Sequence, residues 1–232
     1  MWFSFILASL ALAFSAEVET GKLQIVGISS EKIDAQNYWF RLEKWNLPNH
    51  LEVRFLDAKM NLLLREKVFL DPEKRFSRYE FDQIQTGETA EIRLEPNQVK
   101  FIFRDKERTR EKTRSLDPED AKVFLVPPML SDFLPQHWEE AIKAGQLDVK
   151  IAIPDRLDFY SFRFTLLPRQ PGQDFHWEFE ARNFFVGLVA GKIIFVYDVD
   201  KKLKAIRGIR PPVKFKTKDG VLEDRRTNIE LL

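Results

Sequence analysis

Ala90-Glu91-Ile92-Arg93-Leu94-Glu95, a break at Pro96-Asn97, and then Val99-Lys100-Phe101-Ile102-Phe103-Arg104: in this stretch apolar residues return at every second position with charged residues set between them. A period of two sends successive side chains to opposite faces, so each run reads as a strand with one dry and one wet side. The Pro-Asn break between the runs reads as the turn of a hairpin.

The same pattern extends in both directions. Upstream, Leu51, Val53 and Phe55 share a face while Glu52 and Arg54 take the other, and Asn37 to Trp45 and Leu62 to Leu70 are two further strands. Asp71-Pro72-Glu73-Lys74 turns the chain into Phe76-Ser77-Arg78-Tyr79-Glu80-Phe81, and Gly87 punctuates the next approach. Downstream, strands are expected at Leu147 to Ile153, Phe159 to Leu167, Phe175 to Glu180, Lys192 to Asp198, Leu203 to Ile209, Val213 to Lys216 and Thr227 to Leu232. Asn183 to Ala190 lacks alternation and is open between a short helix and a buried bend.

Helical signals interrupt this series in the middle of the chain. Pro118 follows Asp117 as a first helical residue follows its cap, and Leu130, Phe133, Leu134, Trp138, Ala141 and Ile142 form one stripe that Gly145 ends. The fold expected is therefore mainly β: a single antiparallel sheet that curls as a partial barrel around one main helix near residues 129–145.

Residues 1–16 read as an export signal and residues 17–232 as a single β domain with an inserted helix. Met1 to Ala16 carries no charged side chain, and its apolar run stops at small residues before Glu17, so cuts after Ala13, Ser15 or Ala16 all fit. Only the terminal amine supplies the positive charge that such a segment carries at its start, which leaves an apolar packed element or an uncleaved anchor as alternatives. Export across the inner membrane to the periplasm is the expectation, with no span remaining after cleavage.

The chain has no cysteine, which excludes disulfides, thiolate metal sites and cysteine nucleophiles. Its 37 basic and 36 acidic residues give a net charge of +1, so bulk charge predicts no nucleic-acid partner. The 21 phenylalanines against 4 tyrosines suit either a sheet core or a cavity for apolar ligands.

The sharpest local pattern lies between Arg104 and Arg114. If this run is extended, Arg104, Lys106, Arg108, Arg110, Lys112 and Arg114 share one face that suits phosphate or carboxylate groups. A solvated hairpin with charges paired across its strands, or a helix with local ion pairs, are the alternatives. His50, His137 and His176 show no ligand spacing, so no metal is expected, although His137 and Glu140 would share a helical face. Asp155 and Asp158 form a carboxylate pair of the kind acid–base chemistry uses, but Asp155-Arg156-Leu157-Asp158 also reads as a turn. No hydrolase elbow, phosphate loop or dinucleotide fingerprint is present, and no cofactor is expected.

His137 through Val149 and Ile153 through Phe164 resemble a passage of uncharacterised exported bacterial proteins. More loosely, strands over residues 37–232 with one interrupting helix and a closing unit from Ile193 are similar to periplasmic half-barrel lipoprotein carriers and lipid binders. That likeness is architectural and implies a concave apolar face able to hold acyl chains. It transfers no functional residue.

Together these readings favour an exported binding protein without chemistry of its own. Phe101, Phe103, Phe162, Phe164 and Trp177 would line the ligand site, and Arg104, Lys106, Arg108 and Arg110 would meet an anionic head. The alternative is a structural or interaction protein of the envelope, with a filled core and a sheet edge or charged hairpin that docks a protein partner. A hydrolase using Asp155, Asp158 or Glu140 is a third reading.

Overall fold

A computed structural model describes residues 22–30, 39–72, 75–182, 192–216 and 219–232. The export segment expected at 1–16 and the undecided stretch 183–190 lie outside the described residues. The first half of the chain is a meander of β1 (Lys22–Ser30), β2 (Phe40–Asn46), β3 (Leu51–Leu56), β4 (Leu62–Leu70), β5 (Phe76–Gln83), β6 (Glu88–Glu95), β7 (Gln98–Arg104) and β8 (Thr109–Ser115). An insert follows, with α1 (Pro118–Lys122), β9 (Phe124–Leu125), α2 (Leu130–Gln136) and α3 (Trp138–Ala144). The second half holds β10 (Gln146–Ile153), β11 (Asp158–Leu166), β12 (Phe175–Ala181), β13 (Ile193–Tyr197), β14 (Leu203–Ile209), β15 (Phe215–Lys216), β16 (Leu222–Glu223) and β17 (Thr227–Leu231).

Fifteen strands form one curled, unclosed sheet in the order β8-β7-β6-β5-β4-β3-β2-β1-β17-β14-β13-β12-β11-β10-β9. Every pairing in it is antiparallel except that of β9 with β10. The mainly β, partial-barrel architecture thus follows the alternation. β6 and β7 form the expected hairpin, with Asn97 in the left-handed conformation at its turn. One expectation is corrected: Val213 to Lys216 does not finish the sheet. Pro211 and Pro212 supply no backbone donors, and Phe215 and Lys216 pair with β16 in a separate ribbon.

Parity separates the faces. Val53, Phe55, Leu64 and Val68 are buried on the concave side. The convex side carries ion pairs such as Arg65 with Asp82 at 3.0 Å, Arg78 with Glu80 at 3.2 Å and Lys100 with Glu111 at 3.3 Å. Each such exposed pair contributes less than about 1 kcal/mol, so burial on the concave side holds the sheet together.

The concave side is filled by residues 116–145 and, over β2–β4, by Val213 and Phe215, which pack with Phe40, Val53, Phe55 and Leu64. Phe124 and Val126 pack on Phe76, Tyr79, Ile92 and Phe101 of the first half. Phe133, Leu134, Trp138 and Ala141 pack on Phe164, Trp177, Phe195 and Tyr197 of the second, and Met129 packs against both clusters.

The expected helix near 129–145 is present but divided. Pro135 lies inside α2 and lacks an N–H, and the chain leaves helical geometry at His137 (φ −106°) before α3 begins. Gly145 ends α3 at φ 68°, as its place in the stripe requires. Asp117 caps α1 by accepting from the Glu119 N–H. Another glycine works by absence of a side chain: a Cβ on Gly27 of β1 would stand 2.7 Å from a methyl of Ile229 and 2.8 Å from one of Leu231, so both side chains of β17 would have to shift to admit it.

Candidate functional site

The five rings expected to line a ligand site are between 0% and 6% exposed. Phe101 and Phe103 belong to the cluster around β5–β7, whereas Phe162, Phe164 and Trp177 belong to the cluster under α2 and α3. The fold therefore does not bring the five into one lining. Their faces are occupied by other rings: Phe162 stacks on Phe179 with centroids 5.1 Å apart, Phe164 meets Phe195 at 5.4 Å, and Trp177 meets Trp138 at 5.8 Å. The Trp177 indole N–H is buried without an acceptor among the described residues. A surface depression at the turn after β11 is lined by Pro168, Arg169, Gln173 and His176, and includes none of the five.

The cationic run departs from the extended reading. Asp105 reverses the chain: its carboxylate accepts from the N–H groups of Glu107 and Arg108, and its own N–H donates to the Arg108 carbonyl at 3.1 Å. The six cations consequently do not share one face. Lys106 and Arg108 lie in the turn, and Arg104 sits at the end of β7 on the side opposite Phe101 and Phe103, donating to the Thr109 hydroxyl. Arg110, Lys112 and Arg114 remain together on the concave side of β8, paired in register with Phe103, Phe101 and Val99. The Arg110 guanidinium lies 4.9 Å from the Phe103 ring centroid. Arg114 pairs with Asp158, and Lys112 stands 3.9 Å from the same carboxylate.

The acids proposed for hydrolysis are held separately. Asp158 takes Arg114 from across the gap in the sheet, Asp155 pairs with Arg156 at 3.5 Å in a single 3-10 turn, and Glu140 faces His137 at 3.7 Å. The described residues hold no group of three or more histidines or carboxylates able to bind a metal ion.

Glu52, which alternation assigns to the wet face, is 4% exposed and is held there by His50, Arg54 and Lys67. On the concave face two buried charged groups escaped the sequence reading. Lys44 is 2% exposed on the concave face of β2, and its ammonium donates to the Ser131 hydroxyl at 2.8 Å and pairs with Asp132 at 2.7 Å. Burial lowers its pKa, and Asp132 opposes that shift. Beside it, the Tyr197 hydroxyl donates to the Ser131 carbonyl at 3.1 Å, the oxygen that Pro135 cannot reach with an N–H. These contacts pin the start of α2 between β2 and β13. Since Asp132 keeps about a third of its surface in water, Lys44→Met is expected to leave stability within about 1 kcal/mol of the parent in urea unfolding. A loss beyond about 3 kcal/mol would show the ion pair to be essential.

Glu66 is the second such group. It faces inward on β4 between Leu64 and Val68, is 4% exposed, and accepts from the Tyr79 hydroxyl. Burial raises its carboxyl pKa to about 7, against the pull of that hydrogen bond. A charged residue at an apolar parity position was the sequence signal for both groups.

No helix among the described residues is long and apolar enough to cross a membrane. No protein family, curated protein or solved structure matches the chain.

Proposed function

We propose that the protein is a non-catalytic interaction protein: a curled sheet with a filled concavity, which meets its partner at the β7–β8 end. One observation carries this reading. The apolar side chains that a carrier would offer to a ligand are spent on the insert, with Trp138, Phe133 and Leu134 seated on Trp177, Phe164 and Tyr197. An acyl chain would gain roughly 25 cal/mol per Å2 on entering, but it would first have to displace residues that already bury that area. The separate local partners of Asp155, Asp158 and Glu140 favour binding over hydrolysis. Export, read from residues 1–16, supports a partner outside the cytoplasm.

Native mass spectrometry of the protein purified from its own envelope tests the filled core. A ligand-free mass is expected, with no thermal stabilisation by lipids or detergents. A retained acyl-chain mass would overturn it, as would a stabilisation near the roughly 2.7 kcal/mol that a ligand supplies at about a hundred times its Kd.

A further inference from the structure

We propose that the free edge of β8 receives an extended acidic segment of another protein as an added strand. This deepens the interaction reading and rests on it.

The backbone sets the edge. Asp105 donates to Arg108 at one end of the β7–β8 ladder and Leu116 donates to Asn97 at 2.9 Å at the other, so bonded and non-bonded pairs alternate between them. Arg110, Lys112 and Arg114 spend their backbone groups on β7. Thr109, Glu111, Thr113 and Ser115 aim theirs away, and no backbone partner for them is present among the described residues. The sheet's other end is the two-residue β9, whereas β8 presents seven residues.

The side chains set the charge. Arg110, Lys112 and Arg114 line the concave side of this edge, and Asp158 is the one carboxylate paired with them among the described residues. Arg110 has no ion pair there, and the Nε groups of Arg110 and Arg114 are both buried without acceptors. Unsatisfied guanidinium N–H groups are served best by carboxylates. Glu111 on the convex side is already taken by Lys100.

Charge on an edge strand also guards against sheet-to-sheet aggregation. Two β8 edges brought together would face like cations, so self-pairing is rejected. The excess of cation over carboxylate goes further and selects an occupant. A strand with Asp or Glu at alternate positions would place its acids beside Arg110, Lys112 and Arg114, with its backbone on Thr109, Glu111, Thr113 and Ser115.

The test is fluorescence anisotropy of a labelled peptide of about nine residues, long enough to span the edge, with Glu alternating with Thr and Val. The full chain should bind it, and should bind the Gln-for-Glu peptide roughly tenfold more weakly, as loss of one or two exposed charge pairs implies. Arg110→Gln with Lys112→Gln should weaken binding to a similar extent. Thr113→Pro removes an N–H that faces away from β7, so the hairpin persists while a bond to the added strand is lost; amide protection at Arg110 and Lys112 verifies the hairpin. Absence of peptide binding overturns the proposal, and the edge charges are then protective only. Undiminished binding to Thr113→Pro with the hairpin intact overturns strand addition. Binding of phosphatidylglycerol vesicles that depends on Arg110 and Lys112, without binding of the peptide, assigns the cations to a membrane surface and overturns it too. A retained acyl mass in the native spectrum sinks the filled-core reading alone, because the peptide titration reads the β8 edge directly.

Discussion

Replacing Trp138 by Ala is expected to destabilise the protein by about 3–5 kcal/mol, the cost of removing a large buried ring whose site cannot fully collapse. For a chain of this size that corresponds to a fall in Tm of roughly 10 °C. Trp138 is 5% exposed and meets Phe175 at 4.9 Å, Tyr197 at 5.6 Å and Trp177 at 5.8 Å, so it joins α3 to three strand residues at once. Lys201, whose ammonium lies 6.0 Å from the same ring, provides the control: Lys201→Ala should cost less than about 1 kcal/mol. Urea unfolding with near-ultraviolet circular dichroism reads both. A Trp138→Ala loss below about 1 kcal/mol would mean that the insert is a detachable cover and would return weight to the carrier reading.

Glu66→Gln is expected to make the protein more stable by roughly 3 kcal/mol at about pH 8, with the advantage vanishing near pH 4. The sign follows from the carboxyl pKa of about 7 in the folded state against 4.5 for an ordinary glutamate. Below 4.5 both states hold the proton and no penalty exists. Between 4.5 and 7 the unfolded chain has released the proton while the folded chain retains it, so stability falls as pH rises. Above 7 the full cost of a buried carboxylate is present. Glutamine keeps an oxygen to accept from Tyr79 and carries no proton to lose. Parallel pH profiles for parent and variant between about pH 4 and 8 would show that Glu66 does not titrate with folding.

The strands were legible where side chains alternate and turns punctuate. Leu62–Leu70 and Leu203–Ile209 have the bounds their residue pattern indicates. β8 was legible only as one of two alternatives, the solvated hairpin with charges paired across its strands: Thr109-Arg110-Glu111-Lys112-Thr113-Arg114-Ser115 has no apolar face, and the choice is settled by its pairing with β7 and by the Asp105 turn. β1 was missed for a related reason: it carries Gly27, and its place between β2 and β17 depends on partners at both ends of the chain. Parity also identified which rings share a face. It could not show that residues 116–145, together with Val213 and Phe215, cover that face, because the covering is a tertiary event between segments far apart in sequence. The inward turn of Lys44 and Glu66 was encoded in their positions, yet its meaning appears only with Asp132 and Tyr79 beside them.

Gly27, packed under Ile229 and Leu231 of β17, lies in a seam that has a consequence for the order of assembly. The meander from β1 to β8 joins neighbours in sequence, so its contacts can form early and fast. The β1–β17 seam joins Gly27 to Leu231 and Ser30 to Asn228, and buries a hydrogen bond between Ser29 and Thr227. In a chain that emerges from its amino end, one flank of β1 stays without this partner until residues 227–231 arrive. The seam, like the β14–β17 pairing, has to wait for those residues, and until then the bare flank of β1 is an edge at which an incomplete chain is exposed to pairing with another molecule.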